Sequence, residues 1–281
     1  MLDQITPVIL TYNEAANIER TLAVLDWARE IVIVDSYSDD QTFALARRNP
    51  RAQVFQRVFD CHASQWNYAI KETGITSEWV LALDADYVLT PEIVEEIRHL
   101  TPAKNIAGYF ARFIYCVNGK RLGSSIYPPV TVLYRREQAC YSQDGHTQRV
   151  ELRGEVLNLT APILHDDRKS FQRWLRGQSS YMKLEAAKLT RSRLRELGWA
   201  DRVRKLKIIA PIGVLFYCLF ARGLILEGRP GIYYSFQRML AELILSLNLI
   251  RQSLSGSKKE ADPEATNETK ASELMAIEQR K

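Results

Sequence analysis

Three short apolar runs in the first hundred residues each stop at a polar loop carrying carboxylates, and this placement constrains the fold more than any other feature. Residues 7–11 lead into Asn13 and Glu14, residues 30–35 into the loop 36–40, and residues 78–83 into Asp84, Ala85 and Asp86. Helical patterns lie between them. Ile18, Leu22 and Leu25 recur at helical spacing, a second helix runs through Phe43, Ala44 and Arg47 with Ser38 or Asp39 placed to cap it, and residues 62–72 read as a third. Residues 53–56 read as one more strand. Thr90, Pro91 and Glu92 open a further helix with a capping hydroxyl, a first-turn proline and an acid at the positive end of the dipole. The alternation predicts an α/β fold around a mostly parallel sheet flanked by helices. Ligands of such sheets bind at the carboxyl ends of the strands, where these acids fall.

The composition agrees with a folded chain. Of 281 residues, 46% are hydrophobic and 25% charged, which excludes disorder or a collagen-like repeat as whole-chain readings. Cys61, Cys116, Cys140 and Cys218 stand far apart, with no CxxC pair and no clustered histidine, so neither a zinc site nor a disulfide framework is expected. A reducing cytosol is the simplest compartment. The first residues lack a basic segment followed by a long apolar one, so no secretory signal is expected. The net charge of +5 is too small to point to nucleic acid, and the excess is local: residues 188–207 carry eight Lys and Arg against Glu196 and Asp201.

The pair Asp84 and Asp86 is the most informative motif. Two carboxylates one residue apart at a strand end can hold a hard divalent cation that clamps a diphosphate and offsets charge on a departing phosphate. Residues 11–18, residues 31–35 with Ser38 and Asp39, and residues 83–86 match, in order and spacing, the nucleotide-sugar half of inverting family 2 glycosyltransferases with the GT-A fold. The resemblance spans about residues 5–170 and is greatest to small bacterial members that build cell-envelope glycans, including lipopolysaccharide core glucosyltransferases. It implies that Thr11, Tyr12 and Glu14 line the nucleotide pocket, that Asp35 accepts hydrogen bonds from the nucleobase, that Asp84 lies near the ribose, and that Asp86 is the main ligand of Mn²⁺ or Mg²⁺. A buried carboxylate suits the imide donor of uracil. For Asp35 a simple turn or cap carboxylate is the other reading.

An inverting transfer needs a base to take the proton of the acceptor hydroxyl. The family carries an acidic or His-Glu pair there with an arginine after it. Here the corresponding stretch is Gln143, Asp144, Gly145, His146, Thr147, Gln148 and Arg149. Asp144 is the expected base and His146 the second candidate, while Asp144-Gly145 also reads as a turn between strands. His165 follows an apolar stretch and, by the resemblance, is a further metal ligand, with Arg168 or Lys169 meeting the diphosphate. Asp166 or Asp167 as the cap of a following helix is the alternative, compatible with a ligand role for His165. Gln65, Trp66 and Asn67 admit donor or acceptor contacts but read more simply as core and cap. The tyrosine-rich stretch 109–141 reads either as sugar stacking or as strand packing.

The expected organisation is a catalytic domain over 1–165, with a nucleotide-sugar half at 1–100 and an acceptor half at 101–165. A basic helical region at 166–252 and a disordered tail at 253–281 follow. Residues 208–221 form 14 uncharged residues interrupted by Pro211 and Gly213, short of the roughly 20 needed to span a bilayer. Residues 239–250 are a second apolar stretch, carrying Glu242. Basic and apolar stretches together read as an element on an anionic membrane surface, with a buried core helix beside a solvated basic one as the alternative. The whole reads as a metal-dependent enzyme at the cytoplasmic membrane face. It moves a hexose, glucose foremost, from a UDP-sugar donor to a lipid-linked glycan acceptor. A degenerate nucleotide-sugar-binding scaffold is the alternative. A dinucleotide-binding oxidoreductase is disfavoured, because no glycine-rich loop follows the first strand.

Overall fold

The computed structural model describes residues 1–144, 147–193, 195 and 197–255. Its central sheet has seven strands. Four neighbours pair in parallel: β1 (Ile5–Thr11), β2 (Ile31–Asp35), β3 (Ala52–Gln56) and β4 (Trp79–Asp84). Their apolar residues alternate between two cores. Ile9, Ile33, Leu81 and Leu83 meet α1 (Ile18–Ala23) and α4 (Pro91–His99) on one face. Val8, Val32, Val34 and Val80 meet α3 (His62–Lys71) on the other. Burial on both faces is why these strands read as continuous apolar runs.

Register decides where the acids go. Thr11 lies opposite Asp35 and Leu10 opposite Asp84, so three adjacent strands end at one edge. The Thr90 hydroxyl caps α4 as expected, accepting from the Ile93 amide at 3.3 Å. The other two expected caps are corrected. Helix α2 (Thr42–Arg47) is not capped by Ser38 or Asp39, because Ser38 is drawn to Asp35 and Asp40 binds Thr42 instead. Neither Asp166 nor Asp167 caps the helix after His165, a place taken by Ser170, which accepts from the Arg173 amide.

Beyond β5 (Tyr87–Leu89), strands β6 (Ile106–Ala111), β7 (Phe113–Val117), β8 (Lys120–Arg121) and β9 (Val130–Arg135) follow. Strand β9 runs antiparallel between β4 and β6, and β12 (Glu155–Asn158) closes that side of the main sheet. A second sheet orders β5, β13 (Ile163–His165), β7 and β8. Its register sets His165 opposite Tyr87 on one side and Tyr115 on the other. Strands β10 (Ala139–Asp144) and β11 (Thr147–Leu152) form a separate antiparallel pair with Asp144 opposite Thr147. Trp66 stacks on Tyr141 at 5.3 Å and the Asn67 amide holds both backbone groups of Tyr141, fastening this pair to α3. Residues 65–67 thus act as brace and core.

After β13 the chain is helical: α5 (Phe171–Arg191), α6 (Trp199–Arg204), α7 (Ile209–Phe216) and α8 (Arg229–Ser255). Met182, Ala186 and Leu189 of α5 pack on Leu245 and Leu249 of α8, so the apolar stretch 239–250 faces a core. Arg204 belongs to that interior, with Glu242 at 2.8 Å and Asp201 at 3.2 Å. Among the described residues no helix is long and apolar enough to cross a membrane. Most of the expected tail, from residue 256, lies outside the described residues.

Trp79 is buried, lies 6.0 Å from the Tyr109 ring and carries the Arg135 guanidinium at 4.6 Å. Trp79→Ala is expected to cost roughly 3–5 kcal/mol of folding stability in urea titration, the range for emptying a buried aromatic site.

Candidate active site

The loop after β1 and the loop after β2 interlock. Asn13 adopts a left-handed backbone with φ 59°, which asparagine tolerates, and its side-chain oxygen accepts from the Asp39 amide at 2.8 Å and the Asp40 amide at 3.2 Å. Asp35 is fully buried at the end of β2. Its Oδ1 accepts from the Thr11 hydroxyl at 2.9 Å and the Ser38 hydroxyl at 2.5 Å. Its Oδ2 accepts from the Ser38 amide at 2.9 Å and the Gln56 amide at 3.4 Å. These donors fill a carboxylate's usual acceptor sites. Asp35 thus fastens the two loops. Thr11 is buried beside it, whereas Tyr12 is exposed, with Arg173 of α5 lying 6.0 Å over its ring.

The loop after β4 is tied from both sides. The Thr21 hydroxyl of α1 donates to the Ala85 carbonyl at 2.6 Å, and the Asp166 amide donates to the Asp86 carbonyl at 3.0 Å. Asp86 faces His165, with Nε2 and Oδ2 3.3 Å apart. Glu14 accepts from Lys169 at 2.7 Å and from Asn17 at 2.8 Å. Lys169 also lies 3.7 Å from Asp167. Asp84, Asp86, His165, Glu14 and Lys169 therefore share one charged centre.

Their environment splits the acids. Burial and the neighbouring Asp86 charge push Asp84 up to about 6. Asp86 is also lifted by burial, but His165 and Lys169 outweigh that and hold it at about 2. Glu14 is raised to about 7, chiefly by burial, against the pull of Lys169. His165 is lowered by burial and raised further by Asp86, with a net upward shift. Asp86 is thus held well below the usual carboxylate range, and Asp84 beside it is pushed above it.

Arg168 is engaged within the protein. Its guanidinium grips Asp166 through three contacts of 2.8–2.9 Å, and Arg20 reaches the same carboxylate at 2.7 Å. Of the two cations expected to meet a diphosphate, Lys169 is the one inside the centre. Asp144 ends β10, and its backbone alone is described. His146 lies outside the described residues.

Sequence reasoning missed the tyrosines. Tyr87, Tyr115 and Tyr127 surround the His165 ring edge-on, with centroids at 5.4, 4.8 and 4.6 Å. The Tyr87 and Tyr127 hydroxyls are 2.6 Å apart. Tyr87 follows Asp86 directly, which is the one local signal. Tyr115 reaches the site through the pairing of β7 with β13, and Tyr127 through the segment between β8 and β9. Elsewhere in the tyrosine-rich stretch, Tyr109 packs on Trp79, and Tyr134 and Tyr141 share a buried hydroxyl contact at 2.8 Å.

Among the described residues no group of three His, Cys, Asp or Glu side chains is assembled to hold a metal alone. The donor chemistry nonetheless fits a divalent cation. Asp86 Oδ1 and His165 Nδ1 are buried without a hydrogen-bond partner, although such groups are normally satisfied. A carboxylate oxygen and an imidazole suit Mn²⁺, and the carboxylate suits Mg²⁺.

Residues 6–142 match the family described as Glycosyl transferase family 2. Relatives include an uncharacterized glycosyltransferase of Rickettsia bellii, 35% identical over 109 residues, covering 38% of this chain and 36% of that protein. One of Rickettsia felis is 32% identical over 111 residues, covering 39% of this chain and 38% of that protein. The match thus spans little more than a third of the relatives' own length. Among solved structures, S. aureus TarS 1-349 in complex with UDP-GlcNAc has a TM-score of 0.45 at 16% identity, covering 92% of this chain and 93% of that one. Glucosyl-3-phosphoglycerate synthase of Mycobacterium tuberculosis in complex with phosphoglyceric acid has a TM-score of 0.45 at 17% identity, covering 66% and 79%.

Ser38 donates to Asp35 twice and its hydroxyl accepts from the Asn13 amide at 2.7 Å. Ser38→Ala is expected to lower stability by roughly 1–3 kcal/mol, the cost of stranding buried polar groups, measured by thermal denaturation.

Proposed function

We propose that the family 2 glycosyltransferase domain at residues 6–142, completed by β13 and α5, transfers a hexose from a UDP-sugar to a lipid-linked envelope glycan such as lipopolysaccharide core, with inversion. The reading rests on one observation. Asp86, ionised and with an unpartnered buried oxygen, lies beside Asp84, His165 and Lys169 at the carboxyl edge of a parallel sheet. Asp86 and His165 would hold Mn²⁺ or Mg²⁺, which when bound offsets negative charge on the diphosphate. Lys169 presents a cation to the same phosphates. Thr11, Glu14 and Asp35 shape the loop against the nucleoside.

Asp144 is the proposed base, with His146 the second candidate. It takes the acceptor hydroxyl proton as the oxygen attacks the anomeric carbon, and the bond to the diphosphate breaks on the opposite face. The β10–β11 pair that carries Asp144 is fastened to α3 through Trp66, Asn67 and Tyr141. Asp86→Ala is expected to abolish both Mn²⁺-dependent UDP binding and transfer. Asp144→Asn should abolish transfer with UDP binding retained in calorimetry. Normal turnover in purified Asp144→Asn would remove the base assignment, and UDP binding with no transfer by the wild type onto lipid extracts would favour a scaffold.

The acceptor proposal draws on α7 and the segment after it. Ile208, Ile212, Phe216 and Phe220 recur every four residues and are all more than half exposed, followed by Leu226 at 89%. Exposed Arg202, Arg222 and Arg229 flank this stripe. An apolar stripe with cationic ends suits an anionic bilayer surface, which would hold the enzyme peripherally on the inner face of the cytoplasmic membrane. Replacing Phe216 and Phe220 together by Ser is expected to weaken binding to vesicles containing phosphatidylglycerol by roughly tenfold or more, given the apolar area lost. Equal flotation of variant and wild type would reject the membrane contact.

A further inference from the structure

The segment between β8 and β9 belongs to no ladder, yet it carries Tyr127 to His165. Its backbone groups still need partners, and three of them find these in the C-terminal helical region. The Gly123 amide donates to Glu227 Oε1 at 3.2 Å. The Ser125 carbonyl accepts from Arg222 at 2.7 Å. The Ile126 amide donates to the Tyr234 hydroxyl at 3.1 Å. Leu122 is buried with Cys218, Leu224 and Tyr234, and the Tyr234 ring lies 4.7 Å from Tyr115. The first turn of α8 sits directly on the 224–227 turn, since a Cβ at Gly231 would strike the Leu224 carbonyl. Glu227 and Tyr234 are thus set on one rigid corner.

We infer that Arg222, Glu227 and Tyr234 are positioning residues for the active centre: they clasp residues 122–127 so that Tyr127 and Tyr115 are held against His165. The inference rests on His165 belonging to the proposed site. The chain of contact is continuous. Tyr234 fixes the amide next to Tyr127, the Tyr127 ring abuts His165 at 4.6 Å, and its hydroxyl meets that of Tyr87, whose own ring lies 5.4 Å from His165. The helical region is therefore part of the centre as well as a support for it. Exposed Leu226 lies between Arg222 and Glu227 of the clasp.

Tyr234→Phe in the full chain tests this, because it deletes the hydroxyl and keeps the ring on Tyr115. Two activity-independent readouts apply. Amide exchange over 122–127 should accelerate about tenfold, as expected for loss of one hydrogen bond, with β1 and β2 unchanged. The ring signals of His165, assigned through His165→Gln, should shift in the NMR spectrum of histidine-labelled protein as the tyrosine rings loosen, while those of His62 and His99 stay in place. Arg222→Ala should act in the same direction. Wild-type exchange over 122–127 in both variants overturns the clasp, and accelerated exchange with unmoved His165 signals overturns the positioning role. Where the wild type transfers sugar, kcat should fall with donor KM within about twofold. Absence of transfer would fail the glycosyltransferase reading and leave the two spectroscopic outcomes decisive for the clasp.

Discussion

Parallel pairing of β1 with both β2 and β4 brings carboxylates together at one sheet edge, and the surrounding structure makes that gathering tolerable. Buried like charges repel strongly where the dielectric is low, so each acid needs a donor, a cation or a proton. Asp35 takes its donors from Thr11, Ser38 and Gln56. Asp166 takes Arg20 and Arg168. Glu14 takes Lys169, and Asp86 takes His165 while keeping one oxygen open. Asp84 is left to burial and its neighbour's charge, which raise it to about 6.

These pairings explain why the stretch after β13 is as much a part of the site as the loops of the parallel half. Residues 165–169 supply the imidazole, the lysine and the clamp on α1 within five positions. The main-chain bond from Asp166 to Asp86 fixes this stretch against the β4 loop. The family match ends at residue 142, so the part of the site contributed by β13 and α5 lies beyond it.

The strands with their terminal acids were legible because burial on both faces leaves an unbroken apolar run, and the polar loop marks its end. Asp84 and Asp86 stood out for that reason, as did the Thr90 cap. Other local signals misled. Ser38 resembles a helix cap, but its hydroxyl goes to a buried carboxylate three residues earlier, and the first amide of α2 is taken by Asp40. Arg168 and Lys169 are equivalent cations in sequence. Only packing shows that one is neutralised by Asp166 and the other by Glu14 within the centre. The basic stretch 188–207 reads as a single charged face, yet Arg204 turns inward to Glu242 because α8 brings that acid alongside.

By itself the sequence determined the α/β order, the edge at which the acids lie and the family resemblance, since these depend on local patterns of apolar runs, caps and motif spacing. The tertiary structure alone decided which acid is held below the usual carboxylate range and which are raised above it, which cation enters the centre, and that Tyr87, Tyr115 and Tyr127 enclose His165. Those properties arise from groups far apart in the chain that share a low-dielectric space, and no local pattern encodes the distance between them.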